Sequence, residues 1–354
     1  MKLLAAISQH GLGHLAQAAP VLNALRRLHP ALELTLWSGL SDAALRARIE
    51  GPFVHRHETA DVGLQMHDAM RVDGSASHVA YQAFHADWPA RVQAEADWLR
   101  AAQFDRVFVD VAYLPLAAAA VAGIPGIALC SLNWADICAA YLADLSGMAT
   151  ILEQMNSAYA AAEVFLQPTP AMPMPQLARR QAIDPIASCG GNQRQELIRK
   201  LALPTNSKLV LLGFGGVAYQ GQGSLPRIDK VVWLTPDDWQ NVARPDRIPF
   251  SRCGMAFIDL LASSDALITK VGYGSFVEAA AHGVPVLYLD RPDWPETPYL
   301  AEWLMRQANA GVIDETILFS SLLEQALQAL WQQPPKPAIR AEGAMQAARR
   351  ILAR

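Results

Sequence analysis

Residues 267–289 constrain the fold more than any other part of this chain. The apolar run from Leu267 ends at Lys270, a turn carries Gly272 and Gly274, and a second apolar run closes at Val286–Leu289. The order reads as a buried strand, a two-glycine turn, a helix opening at Ser275 and a second buried strand. Gly272 and Gly274 permit positive φ or the close approach of backbone to a ligand. Ser275 with Glu278 three residues on fits a capping box. A helix N-terminus behind a glycine turn also presents free N–H groups and a positive dipole end to phosphate. From this stretch alone the cap and the phosphate site are equally supported.

The chain begins in the same way. Lys2–Ile7 is a compact apolar strand that runs through Ser8-Gln-His-Gly-Leu-Gly-His14 into a helical pattern from Leu15 to about Leu28. Leu32–Trp37 reads as a second strand and Ser41–Ile49 as a helix capped by Ser41. This βαβ start favours a right-handed parallel sheet. Residues 51–77 lack periodicity. A long helix is expected over 78–102, with Pro89 kinking or restarting it. Strands at Phe104–Val109 and Ile124–Leu129 flank a helix at Ala112–Ala122; helices at Trp134–Leu145 and Ala149–Ala162 precede a strand at Val164–Leu166.

Five prolines then fall between Pro168 and Pro185, which reads as a linker. Beyond it, Gln193–Leu201 is helical and Leu209–Leu212 is a buried strand ending in Gly213-Phe-Gly215-Gly216. Val231–Leu234 is a strand, and Met255–Ser263, Thr316–Trp331 and Ile339–Leu352 are helices. The expected organisation is two doubly wound, Rossmann-like parallel-sheet α/β domains facing a cleft. Residues 1–167 and 191–335 form the domains, 168–190 the linker, and 338–354 a terminal helix that packs back on the first domain. In such sheets ligands bind beyond the carboxyl ends of the strands, where the glycine turns lie.

Composition narrows the function classes. The net charge of −4 gives no footing for a nucleic-acid surface. The twenty-five residues Val111–Ala135 carry no charge and could on length alone cross a bilayer. Pro115 and the Gly123-Ile-Pro-Gly126 break split them into a helix and a strand, so no transmembrane segment is expected; peripheral membrane contact stays open. Met1–Ile7 is too short for a signal-peptide core. The four cysteines, Cys130, Cys138, Cys189 and Cys253, show no metal-ligand or disulfide spacing, and a reducing cytoplasm fits.

Three loops could carry chemistry. His10 and His14 place two imidazoles in a glycine turn directly after the first strand, where a histidine can accept a proton near neutral pH; core or capping roles are the alternative. His14 has the stronger claim, since a neutral imidazole is favoured at the start of a helix. Asp110 ends a strand and would orient His14 if the two strands are neighbours; otherwise it caps the next helix. The loop Asp290–Tyr299 sets Asp293 and Glu296 among aromatics and three prolines, which suits hydroxyl recognition or an ordinary helix entry. No GxxxxGK[ST], GxSxG or HExxH sequence occurs, and GxGxxG is incomplete after Gly13.

Together these loops resemble the GT-B glycosyltransferases, with the greatest similarity to the glycosyltransferase-like domain of plant L-arabinokinases. The resemblance rests on Ser8–His14, Leu132-Asn-Trp-Ala-Asp136, Thr269–Glu278 and Arg291–Leu300. It implies a first domain on the acceptor side with His14 as general base, assisted by Asp110 with His10 nearby. The second domain would bind the nucleotide sugar. Gly215, Gly216, Lys270, Gly272, Tyr273, Gly274 and Ser275 would hold the donor diphosphate, Glu278 the ribose, and Asp293 and Glu296 the transferred sugar. It implies inverting transfer from a nucleoside diphosphate sugar to a hydroxyl acceptor, with no metal and no cofactor. Gln17 departs from the family, standing where those domains have arginine. The sequence holds no kinase module, so arabinose phosphorylation is not implied. An epimerase or hydrolase of nucleotide sugars, or a non-catalytic nucleotide-sugar module, would use the same fold.

Overall fold

A computed structural model describes residues 1–215, 219, 223–239 and 244–353. It divides into two compact units, one of residues 1–67, 71–186 and 341–354 and one of residues 68–70 and 187–340.

The first unit starts β1 (Lys2–Ile7), α1 (Gly13–Leu28), β2 (Glu33–Trp37), α2 (Asp42–Arg46), β3 (Val54–Arg56). Ser41 caps α2, its side chain accepting from Ala44 N–H at 3.2 Å. The expected long helix is two, α3 (Gly74–His85) and α4 (Trp88–Ala102), because Pro89 restarts the chain in the first turn of α4. There follow β4 (Arg106–Asp110), α5 (Leu114–Ala122), β5 (Gly126–Leu129), α6 (Trp134–Leu142), α7 (Met148–Ala160), β6 (Val164–Pro168) and β7 (Arg180–Ile183). Among the described residues the sheet has seven strands in the order β3-β2-β1-β4-β5-β6-β7, all parallel. Its central strands are buried along nearly their whole length, as a sheet covered on both faces requires. The uncharged Val111–Ala135 stretch is therefore core, and no described helix is long and apolar enough to cross a membrane. The proline-rich stretch carries β7, an edge strand whose Arg180, Gln181 and Ala182 are exposed, as an edge allows.

The second unit runs α8 (Arg194–Lys200), β8 (Lys208–Gly213), β9 (Val231–Thr235), β10 (Arg247–Pro249), α9 (Phe250–Cys253), α10 (Phe257–Ala262) and β11 (Ala266–Lys270). It continues with α11 (Tyr273–His282), β12 (Val286–Leu289), α12 (Thr297–Gln307), β13 (Ala310–Ile313), α13 (Glu315–Leu318) and α14 (Leu322–Gln332). Its parallel sheet has the order β10-β9-β8-β11-β12-β13. One face packs Val210, Leu212, Trp233, Ile268 and Leu287 against Leu323, Leu327 and Leu330 of α14.

The last helix, α15 (Gly343–Leu352), lies in the first unit, packed on α1 and β7. Gly343 makes the approach possible: a Cβ there would come within 2.0 Å of the Asp184 carbonyl oxygen. Gly343 N–H donates to Pro185 O at 3.1 Å, and Gln346 bonds Asp184 through both ends of its amide. Since the obstructing atom is backbone, Gly343→Val should destabilise the first unit by roughly 2–3 kcal/mol, the cost of overpacking. A thermal or urea midpoint equal to the wild type would exclude this close approach.

Candidate functional site

In the first unit the site forms where β1 and β4 end. The parallel register sets Ile7 beside Asp110, so the turn after β1 and the carboxylate ending β4 are neighbours. His14 lies in the first turn of α1 and puts its Nδ1 2.9 Å from Asp110 Oδ1, both side chains being buried. A carboxylate only accepts, so Nδ1 carries the hydrogen and Nε2 the lone pair. Asp110 does not cap α5, whose N-cap is Tyr113 with no side-chain bond. Burial pushes the Asp110 carboxyl above its ordinary value, opposed by His14 and Cys130.

The backbone leaves β4 through Val111 at φ +59°, a left-handed conformation that is an outlier for a β-branched residue. Tyr159 holds it there, its hydroxyl donating to Val111 O at 2.7 Å and accepting from Trp134 N–H at 3.3 Å. Trp134 begins α6, which Asn133 caps by accepting from Asp136 N–H at 2.8 Å. The fully buried indole meets His10 edge-on at 4.9 Å between ring centres and His14 at 5.4 Å. Gln17 spans to the segment after β5, donating to Ser131 Oγ and accepting from Ser131 N–H, each at 3.2 Å.

A residue that sequence reasoning missed completes the cluster. Asp61 is 2% exposed, and its Oδ2 accepts from Trp134 Nε1–H at 3.0 Å. The same N–H reaches Ser8 Oγ at 3.3 Å. Burial raises the Asp61 carboxyl to about 6, partly offset by Ser8, His14 and Trp134, with Asp110 adding to the rise. It comes from the aperiodic 51–77 stretch, where no local signal marks it.

His14, Asp110 and Cys130 also bring one ligand atom each within 4.8 Å of one another. Imidazole, carboxylate and thiolate suit a transition metal. Cys130 Sγ lies 3.7 Å from His14 Nδ1, the nitrogen bonded to Asp110, so an ion held through Nδ1 would displace that hydrogen bond.

In the second unit the turns after β8 and β11 lie side by side. Thr269 Oγ1–H donates to Gly213 O at 2.6 Å. Gly215 has φ +85°, and a Cβ there would stand 3.8 Å from Lys270 Cε. Gly216 lies outside the described residues. Burial, with Arg291 adding and Glu296 opposing, depresses the Lys270 ammonium to about 8.

The capping box does not form. Helix α11 starts at Tyr273 with Gly272 as N-cap and no side-chain cap, so Ser275 lies inside its first turn. Gly272 is extended, which lets the chain enter the helix two residues before Ser275. Positive φ is therefore not why glycine stands at 272, and the nearest atom to a Cβ there is Lys270 O at 4.0 Å. The turn is open, as ligand approach would need. Tyr273, Gly274 and Glu278 are buried in α11. After β12, Asp293 is exposed while Glu296 is buried, its Oε2 accepting from Trp294 Nε1–H at 3.4 Å. Sequence reasoning also passed over Arg291, which is 3% exposed with its guanidinium 4.4 Å from the centre of the Trp294 ring. An arginine after a strand gives no local sign that it will be buried.

No protein-family model matches the chain. It is 27% identical over 321 residues to the L-arabinokinase of Arabidopsis thaliana, a match covering 84% of this chain and 29% of that protein. The chain thus spans less than a third of that relative. Among solved structures, the spinosyn forosaminyltransferase SpnP is similar with a TM-score of 0.62 at 14% identity, over 99% of this chain and 93% of that one. Phytolacca americana UGT2, complexed with UDP-2fluoro-glucose and pterostilbene, gives 0.56 at 13% identity over 99% and 93%. The chain has the GT-B glycosyltransferase fold and is distantly homologous to the plant L-arabinokinase over most of its length.

Removing the Asp61 charge should stabilise the protein. The folded carboxyl titrates near 6 against an ordinary 3.8, so between those values the folded state binds more protons than the unfolded. Stability therefore falls as pH rises through that window, by about 3 kcal/mol for a shift of this size. Asp61→Asn should raise stability at pH 7.5 by about 1–3 kcal/mol, a gain that vanishes near pH 4. Urea denaturation at the two pH values checks the sign.

Proposed function

We propose that the protein is an inverting, metal-independent glycosyltransferase that moves a sugar from a nucleoside diphosphate sugar to a hydroxyl acceptor. The observation that carries the reading is the buried His14–Asp110 pair at the carboxyl ends of adjacent parallel strands, within a GT-B fold. The first unit supplies the acceptor side and the second the donor side. The domain roles expected for 1–167 and 191–335 belong to this proposal, as do the diphosphate, ribose and sugar roles of Lys270, Ser275, Glu278, Asp293 and Glu296.

The chemistry follows from the proton inventory. The acceptor hydroxyl donates to His14 Nε2 as its oxygen attacks the anomeric carbon. The carbon–oxygen bond to the diphosphate breaks with inversion, and the hydroxyl proton ends on the imidazole. Asp110, fixed on Nδ1–H, holds the ring in the competent tautomer and stabilises the imidazolium. On the donor side Lys270 and the uncapped N-terminus of α11 offset the charge of the departing diphosphate. His14→Ala should lower turnover at least about a hundredfold while UDP still binds, since a general base contributes roughly that much. Unaltered turnover would remove His14 from the mechanism.

Lys270 sets a pH limit on donor binding. Its ammonium loses charge through about 8, so it attracts the diphosphate below that pH and does so less above it. UDP affinity measured by calorimetry should fall at least about fivefold from pH 7 to 9, and Lys270→Gln should flatten the dependence. A wild-type affinity constant across that range would place the diphosphate away from Lys270.

A further inference from the structure

Among the described residues, Asp61 is a buried charged group that this mechanism does not use. Asp61 Oδ2 is engaged by Trp134, but its Oδ1 is buried with no hydrogen-bond partner among the described residues. An unpaired carboxylate oxygen out of water is costly, so a buried one in a native fold calls for a physical explanation, a bound polar group among them. The position is fixed rather than adaptable. Ala60 and Leu64 on either side are buried. Gly63, at φ +63°, lies so close to the first turn that a Cβ would come within 3.0 Å of His10 Cβ. Trp134, which grips Oδ2, is itself held by Tyr159 and packed on both histidines.

We propose that Asp61 is an acceptor-binding residue whose Oδ1 accepts from a hydroxyl other than the one His14 deprotonates, so that the acceptor is a polyhydroxylated molecule of the sugar class. This rests on the glycosyltransfer reading and names its acceptor. Hydroxyl fits better than ammonium. The transferred proton leaves a cation on His14, which a neighbouring ammonium would repel, whereas the Asp61 carboxylate attracts both that imidazolium and a hydroxyl hydrogen. A monohydroxy acceptor would leave Oδ1 unpaired in the complex, and sites built to pair a polar group reject partners that lack it. The titratable groups around Asp61 are His14, Asp110, Tyr81, Tyr113 and Tyr159, with His10 close to Gly63 and Trp134. His14 is the group whose positive charge opposes the rise of the Asp61 carboxyl.

The test compares wild type, Asp61→Asn and His14→Ala on unmodified pentoses and hexoses and on cyclohexanol, with UDP-, GDP- and dTDP-sugars as donors. Wild type should favour the best monosaccharide over cyclohexanol at least tenfold in kcat/KM. Asp61→Asn should raise the KM for that sugar at least tenfold and leave the KM for cyclohexanol and UDP binding within about threefold. Any loss of kcat through the His14 imidazolium should be the same for both acceptors within about threefold. A purely structural Asp61 would not divide the two acceptors in this way. An unchanged sugar KM in Asp61→Asn, or a wild type indifferent between the acceptors, overturns the proposal. If no donor and acceptor react, the transfer reading fails and Asp61 is judged by binding. Monosaccharide titrations of wild type should then shift the Trp134 indole N–H resonance, with that response lost in Asp61→Asn and kept in His14→Ala. Absence of any response in wild type, or its survival in Asp61→Asn, overturns the proposal on that arm.

Discussion

The hydrogen bond between His14 and Asp110 depends on the pairing of β1 with β4, and much of the first unit is arranged to keep it. The residues are 96 apart in sequence, and only the parallel register that sets Ile7 beside Asp110 brings their elements together. A one-residue slip would send Asp110 to the opposite face of the sheet. The register is held by burial, since β1, β4 and β5 are apolar on both faces and covered by helices. The bond is thus a product of the core, although neither partner contributes an apolar group to it.

Holding that bond costs stability locally. Asp110 and Asp61 are both buried carboxyls whose ordinary ionisation is opposed by their surroundings, and Val111 takes a backbone conformation its branched side chain disfavours. Tyr159 offsets part of this with one hydroxyl that bonds both Val111 and Trp134. The aromatic belt behind it is continuous: Tyr159 meets Tyr113 edge-on at 6.2 Å, and Tyr113 stacks on His85 at 5.6 Å. Such a belt resists the local collapse that would otherwise relieve the strain. Strain gathered in one turn and braced by rigid neighbours is what a preorganised site requires.

How much of this the sequence shows depends on whether the signal is local. His14 and Asp110 are legible because one follows the turn after an apolar strand and the other ends such a strand, and strand ends are where α/β sheets bind ligands. Gly215 is legible because its turn demands positive φ. The Ser275–Glu278 pair misleads: its spacing fits a capping box, yet the extended Gly272 begins the helix earlier. Helix entry is decided by backbone angles, which residue spacing only approximates. Asp61 and Arg291 are illegible for a different reason. Each is a charged side chain buried by elements distant in sequence, and nothing in the surrounding residues announces that burial. Even Gln17 shows its role only through Ser131, more than a hundred residues away.

The two units solve opposite electrostatic problems with similar scaffolds. Beyond β1 and β4 the carboxyls of Asp61 and Asp110 stand with the imidazoles of His10 and His14, and His14 opposes the burial that raises both carboxyls. Beyond β11 and β12 the effect has the other sign: Lys270 is buried beside Arg291, with Glu296 opposing, and gives up its proton more readily. A diphosphate arriving there would restore the lysine charge, whereas a neutral ligand would not. The asymmetry comes from the residues at the strand ends, since both sheets are parallel and both place glycine turns at the same edge. In the proposed transfer, which moves a proton toward His14 and leaves negative charge on the departing diphosphate, Asp110 and Lys270 each carry the sign opposite to the charge that forms beside them.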